Sequence, residues 1–175
     1  MLYEKGENYE KAASIYIQSK NFDDAEPLMK NIKTPKLHLL FAKAMEAAGK
    51  YDRSVLAYEA AHDPDSVVRI CLQHLNMPEK AFSMVRESAS SHGAEIVADY
   101  CKSNGNIRPA IEFMLMSNRS AEAFDLAKNH NEMDVFAEML GENGSAKEYY
   151  QIAAHYESKS EWSKVYIVQI EHDVV

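Results

Sequence analysis

Cysteine is almost absent from this chain, and the two present, Cys71 and Cys101, make no CxxC pair. A disulfide framework of the kind that staples small secreted domains is excluded. Glycine is scarce too: there are six, none in G-x-G or G-K-S spacing, so no phosphate-cradling loop is encoded. No run approaches the ~20 apolar residues of a membrane-spanning helix. The opening MLYEKGENYEK lacks the apolar centre of a signal peptide. These absences point to a soluble, reducing, intracellular setting. There the sequons Asn118-Arg119-Ser120 and Asn143-Gly144-Ser145 are expected to stay unglycosylated. Positive charge is in deficit, with 19 Lys and Arg against 27 Asp and Glu and a net charge of −8. That argues against a nucleic-acid or anionic-membrane surface as the main business of the chain. Lys30, Lys33 and Lys36 form the best basic cluster, and it reads as a solvated helix end.

Apolar residues make up 46% of the 175, within the globular range, so wholesale disorder is excluded. A compact fold of this length buries about 70% of its unfolded surface. Strand-like alternation is also scarce; the exception is the C-terminal VYIVQIEHDVV, whose β-branched run is a poor helix former. Elsewhere apolar residues recur at the helical spacing of three and four. Short breaks separate these pieces at Gly6, Asn21, Thr34-Pro35, Gly49, Asp63-Pro64, Asn76 to Pro78, Ser103 to Gly105, Asn118 to Ser120, Asn129 to Asn131, and Gly141 to Gly144. Asn, Gly, Asp and Pro end or start helices because they cap, or accept left-handed backbone. Pro35, Pro64 and Pro78 suit a first helical turn, where a missing N–H costs nothing. Pro27 and Pro109 fit only if their helices begin near Asp24 and Ile107. Short helices joined by short turns pair antiparallel.

A small motif recurs: a large residue, a small one three positions on, and a bulky one four after that. It reads Tyr9–Ala12–Tyr16, Phe22–Ala25–Met29, Tyr51–Ser54–Tyr58, Pro78–Ala81–Val85 and Ile107–Ala110–Met114. A small residue lets two helix backbones approach, and its bulky neighbours cover the seam. The small residues are separated by steps of 13, 29, 27 and 29. A step near 28 is one helix pair, shorter than the ~34 residues of an ideal tetratricopeptide (TPR) repeat. The expected fold is therefore all-α, a right-handed α-solenoid of TPR-like antiparallel helix pairs, compressed as in coat-protein solenoids. In AAGKYDRSVLAYEAAHDP, its clearest copy, Gly49 turns the chain, Tyr51 and Tyr58 seal the seam, and Ser54 and Ala61 allow close approach.

Each candidate for chemistry has a plainer explanation. Cys71 and His74 lie three apart on one helix, but two ligands do not close a metal site, and Cys101 and His92 would have to join them. A Cys–His nucleophile pair lacks anything to form an oxyanion hole. The acidic groups Asp23-Asp24-Glu26 and Asp63-Asp65 sit at expected helix starts, where they complement the helix dipole. Nine Met and ten Tyr suit adaptable packing, mostly within the core. What remains is a surface for holding other proteins. A TPR adaptor gripping a C-terminal carboxylate would need converging basic residues, for which Lys43 and Arg53 are the candidates.

The stretches LYEKGENYEKAASIYIQSKNF, TPKLHLLFAKAMEAAGKYDRSVLAYEAAHD and LQHLNMPEKAFSMVRE carry a resemblance, continued in Ala123-Phe124, Leu126-Ala127 and His130-Asn131. Over residues 2–164 the chain resembles the TPR-like helical region of the one-hundred-and-forty-four-kilodalton WD-repeat subunit of intraflagellar transport complex A. The resemblance implies a non-catalytic scaffold behind N-terminal β-propellers. Its partners would be the other complex A subunits, in retrograde ciliary transport and ciliary import of membrane cargo. It would sit in the cilium or flagellum and basal body, on the cytoplasmic side. The resemblance assigns no catalytic, cofactor, metal or interface residue, and implies no nucleic acid, membrane insertion or small-molecule substrate. The alternative is a vesicle-coat-type or peptide-binding TPR adaptor. Residues 1–164 are expected to form the array, beginning in mid-repeat, and 165–175 a divergent tail for which disorder is one outcome. Such a fragment would expose apolar repeat faces at both ends and tend to associate.

Overall fold

The computed structural model describes the backbone of residues 2–171 and the side chains of residues 9–168. Among the described residues the chain is helical throughout: α1 (Leu2–Gln18), α2 (Phe22–Met29), α3 (Pro35–Ala47), α4 (Tyr51–Ala60), α5 (Pro64–Gln73), α6 (Pro78–Ser88), α7 (Ser91–Ser103), α8 (Ile107–Met116), α9 (Ser120–His130), α10 (Met133–Leu140), α11 (Ala146–Ser158) and α12 (Trp162–Glu171). A short 3₁₀ turn, Gly141–Asn143, precedes α11. The fold class is the expected one, a solenoid-type succession of TPR-like helix pairs. The chain divides into two compact units, residues 1–93 and 94–175, with the boundary inside α7.

One turn design makes most of the connections. A residue in left-handed conformation follows the helix end, and the next backbone N–H reaches back five residues to a helix carbonyl, as in a Schellman motif. After α3, Gly49 has φ 72°, and Lys50 N–H donates to the Met45 carbonyl at 2.9 Å. A Cβ on Gly49 would meet no neighbour, so glycine is favoured here by its dihedral alone. The same bond joins Asn21 to Tyr16, Asp63 to Tyr58, Asn106 to Cys101, Arg119 to Met114, Glu132 to Ala127 and Glu161 to Tyr156. The next helix starts one residue later.

Two breaks carry none of the residues that usually announce one. Ala89 (φ 51°) and Ser160 (φ 60°) take the left-handed position after α6 and α11. Conversely, the expected break at Gly6 is absent, since Gly6 lies within α1. Pro109 is the third residue of α8, which begins at Ile107 as its spacing requires. Pro27 departs from expectation: α2 begins at Phe22, so Pro27 stands inside the helix and leaves the Asp23 carbonyl without its helical donor.

The repeat is set by the even helices. Phe22, Tyr51, Pro78, Ile107, Met133 and Trp162 are their first residues, at steps of 29, 27, 29, 26 and 29. In the first four, the fourth residue is the small one, and Ala25, Ser54, Ala81 and Ala110 are all fully buried. In α10 and α12 that slot holds Phe136 and Val165, also buried but large. The motif at Tyr9–Ala12–Tyr16 is a false match in the middle of α1. Tyr9 is 42% exposed, and it is Ala13, not Ala12, that is fully buried. Ala61 likewise caps the end of α4 and is only half-buried.

In the first unit the pairs α1/α2, α3/α4 and α5/α6 are joined by packing of α1 on α3 and α4 on α5. Phe22 meets Phe41 edge-on at 6.2 Å, and Ala42, Met45, Val55 and Tyr58 are buried in the same unit. In the second unit α8 packs on α9 and α10, and α11 on α12. Phe124 meets Phe136 edge-on at 5.7 Å, and Ile111, Phe113 and Met114 are fully buried in the same unit.

The strand-like expectation for VYIVQIEHDVV is corrected: Val165–Glu171 completes α12. Val165 and Val168, three apart, are buried, while Tyr166 and Ile167 face outward. That is helical spacing, and burial of two valines outweighs a propensity deficit of roughly half a kcal/mol each. Residues 172–175 lie outside the described residues.

Candidate interaction surface

The sequence candidates for chemistry are not assembled. Cys71 is fully buried in the first unit, and burial pushes its thiol pKa up, away from reactivity. His74 is exposed and stacks on Tyr51 at 3.9 Å, so it seals the seam between α4 and the end of α5. Cys101 is fully buried in the second unit. Among the described residues no group of three or more His, Cys, Asp or Glu is placed to hold a metal ion. Among those same residues no helix is long and apolar enough to cross a membrane.

The acidic helix starts are structural. Asp63 caps α5, its carboxylate accepting from Ser66 N–H at 3.2 Å and from Ser66 Oγ at 2.8 Å. Asp65 accepts from Ser90 Oγ. Asp23 accepts from Arg53 at 3.0 Å, and Glu26 also pairs with Arg53. Arg53 therefore links α4 to α2 and is not free to grip a carboxylate, while Lys43 is exposed on α3. Half of the proposed clamp is gone. Lys30, Lys33 and Lys36 are exposed around the turn between α2 and α3, as a solvated helix end should be.

Sequence reasoning missed the polar ties between successive pairs. Asp23 is the second residue of α2 and Arg53 the third of α4; Asp134 is the second of α10 and Lys164 the third of α12, with Lys164 Nζ on Asp134 at 2.7 Å. The same tie recurs in both units, at a separation of 30 residues. Each unit also has a tyrosine–carboxylate–cation network. Buried Tyr58 donates to Glu46 at 2.7 Å, and Arg69 holds both oxygens of Glu46 at 2.8 and 3.0 Å. The Arg69 hydrogen bond, aided by Tyr58, holds the Glu46 carboxyl below its usual range despite burial. Burial and the Glu46 bond push the Tyr58 phenol up to about 12. In the second unit Tyr156 donates to Asp134 at 2.7 Å beside Lys164. The Lys164 and Tyr156 hydrogen bonds lower the Asp134 carboxyl. Only the register of the repeats could have revealed these pairs, because no local spacing marks them.

Exposed apolar residues and open grooves remain on the surface, and two of the grooves lie between first helices of successive pairs. In the first unit a groove of about 590 Å³ opens between α1 and α3, floored by Leu37 and walled by Ile15 and Leu40. Ile15 is 65% and Leu40 43% exposed, high for bulky aliphatics. In the second unit a smaller groove of about 260 Å³ lies between α9 and α11, lined by Phe124, Lys128, Tyr150 and His155. Trp162 and Tyr166, four apart on α12, are 53% and 63% exposed. These are features of an interaction surface, and none encloses a reaction centre.

Comparison with known proteins agrees with this architecture. Residues 2–172 match the family described as the TPR domain of intraflagellar transport proteins 140 and 172. The chain is 46% identical over 162 residues to WD repeat-containing protein 19 of Homo sapiens, covering 92% of this chain and 12% of that protein. It is 36% identical over 144 residues to WD repeat-containing protein dyf-2 of Caenorhabditis elegans, covering 82% and 10%. The chain thus spans only about an eighth or a tenth of the curated relatives it matches.

Proposed function

The chain belongs to the family of TPR domains found in intraflagellar transport proteins 140 and 172, and from that premise we propose that it is a non-catalytic protein-binding scaffold of intraflagellar transport complex A. In this reading its partners are other subunits of that complex, and it serves retrograde ciliary transport and the ciliary import of membrane cargo. It acts at the cilium or flagellum and the basal body, on the cytoplasmic side, without inserting into the membrane. Residues 1–164 are its TPR-like array and residues 165–175 a divergent C-terminal tail, of which Val165–Glu171 continues α12. The observation that carries the reading is the identity with WD repeat-containing protein 19 along almost the whole chain. The surface supports it, with several charged residues tying successive helices together and an aliphatic groove left open between α1 and α3. The carboxylate-gripping adaptor is weakened by the commitment of Arg53 to Asp23 and Glu26. The test is affinity purification of the tagged chain from ciliated cells. Recovery of the other complex A subunits is expected; recovery of coat or chaperone proteins alone would overturn the reading.

A further inference from the structure

The groove between α1 and α3 has a chemistry at odds with the rest of the chain. The protein as a whole is acidic, with a net charge of −8. Yet both walls of this groove carry an exposed lysine one helical turn before an exposed aliphatic: Lys11 before Ile15 on α1, and Lys36 before Leu40 on α3. As first helices of successive pairs, α1 and α3 run parallel, so the two cations lie toward one end of the groove and the aliphatics toward the other. Lys43, one turn beyond Leu40 on α3, is exposed as well but lies outside the groove lining. The one acid in the lining, Glu10, accepts from Thr34 Oγ1 at 2.5 Å and keeps its charge, so with Lys11 and Lys36 the lining stays net positive. Among the described residues Lys11, Lys36 and Lys43 make no ion pair, whereas Arg53, Arg69, Lys80, Arg108, Arg119 and Lys164 all do.

We propose that the α1/α3 groove is a docking site for a helical segment of a partner protein that carries an acidic and a bulky aliphatic side chain one turn apart. The aliphatic side chain covers Ile15, Leu40 and Leu37, and removing those surfaces from water supplies the affinity. The carboxylate lies against Lys11 and Lys36, which fixes direction and rejects basic helices. This proposal rests on the scaffold reading above and names the chemistry of one of its partners.

The probes are fluorescein-labelled 15-residue peptides, long enough to populate helix, built of three Glu-Ala-Ala-Ala-Leu units, three Lys-Ala-Ala-Ala-Leu units, or three Glu-Ala-Ala-Ala-Ala units. Their binding to the full 175-residue chain is followed by fluorescence anisotropy. The Glu/Leu peptide is expected to bind saturably, more weakly as salt rises, and about tenfold more tightly than either of the others. Lys11→Glu with Lys36→Glu should weaken it by about tenfold and let the Lys/Leu peptide bind instead. Ile15→Ser with Leu40→Ser should abolish both. All four positions are exposed or lie at the groove rim, so the circular dichroism melts of the variants should match that of the parent. No saturable binding of the Glu/Leu peptide, equal binding of the Lys/Leu peptide, or binding indifferent to the charge-reversed variant would overturn the proposal. Recovery of complex A subunits by the same groove variants would show that the scaffold reading stands even if this one falls.

Discussion

Replacing Ser54 by alanine removes a hydroxyl that the fold buries completely and gives no hydrogen-bond partner. An unsatisfied buried polar group of this kind costs about 1–3 kcal/mol. Alanine is also the better helix former, by about half a kcal/mol. Against these stands the oxygen-sized void left behind, on the order of 0.4 kcal/mol at ~24 cal/mol per Å³. The equivalent slot of α2, α6 and α8 is already alanine, at zero exposure, so the backbone spacing needs no change. Ser54→Ala is therefore expected to raise the free energy of unfolding by about 1–3 kcal/mol, with the lower end favoured, and Tm by at least ~2 °C. The assay is urea unfolding at neutral pH followed by far-ultraviolet circular dichroism, with an unchanged m-value showing that only stability moved. Ala81→Ser is the reciprocal variant and should lose about 1 kcal/mol or more. If Ser54→Ala proves destabilising, the hydroxyl has a partner in solution and this account of the small-residue slot is wrong.

Glu46 gives a pH prediction. Its folded-state pKa is depressed, chiefly by the Arg69 hydrogen bond, so its contribution to stability is full above the unfolded-state pKa near 4.5 and is lost as pH falls through the lower folded value. Glu46→Gln should flatten the acid limb of a plot of urea midpoint against pH; an unchanged limb would refute the role of the network. Gly144→Ala places a Cβ 2.6 Å from the Tyr149 ring, which is itself held by Tyr149 donating to the Gly141 carbonyl at 2.6 Å. A loss of about 2 kcal/mol in urea unfolding is expected, typical of overpacking. Ala89→Gly relieves a left-handed alanine at the end of α6 and should gain about 1 kcal/mol in the same assay; a loss would mean the Ala89 side chain packs usefully.

Part of this organisation was legible because each helix pair is a local object. The residues that start an even helix, let it approach its neighbours and close its last turn all fall within eight positions, as in Phe22–Ala25–Met29 or Ile107–Ala110–Met114. The turns were legible where Gly or Asn holds the left-handed residue, at Gly49, Asn76, Gly105, Asn118 and Asn131, and illegible where Ala89 and Ser160 do so. Tyr9–Ala12–Tyr16 has the same spacing yet sits inside α1, because a three-and-four pattern marks a helical stripe and not its position along the helix. The α1/α3 groove was not legible at all. Lys36 read only as part of a solvated cluster, and its pairing with Lys11 across the groove depends on how α1 packs on α3.

The sequence by itself therefore determined the helical content, the step near 28 residues and the family, since these rest on local periodicity, capping and the order of short phrases. Tertiary structure decided which matches were real and what the polar residues do. Asp23 and Arg53, or Asp134 and Lys164, meet across 30 residues only once successive pairs are stacked in register. Val165–Glu171, read locally as poor helix, becomes helix because stacking buries Val165 and Val168. Propensity is worth tenths of a kcal/mol per residue and burial of an aliphatic side chain about 1.5–3, so where the two disagreed, packing prevailed.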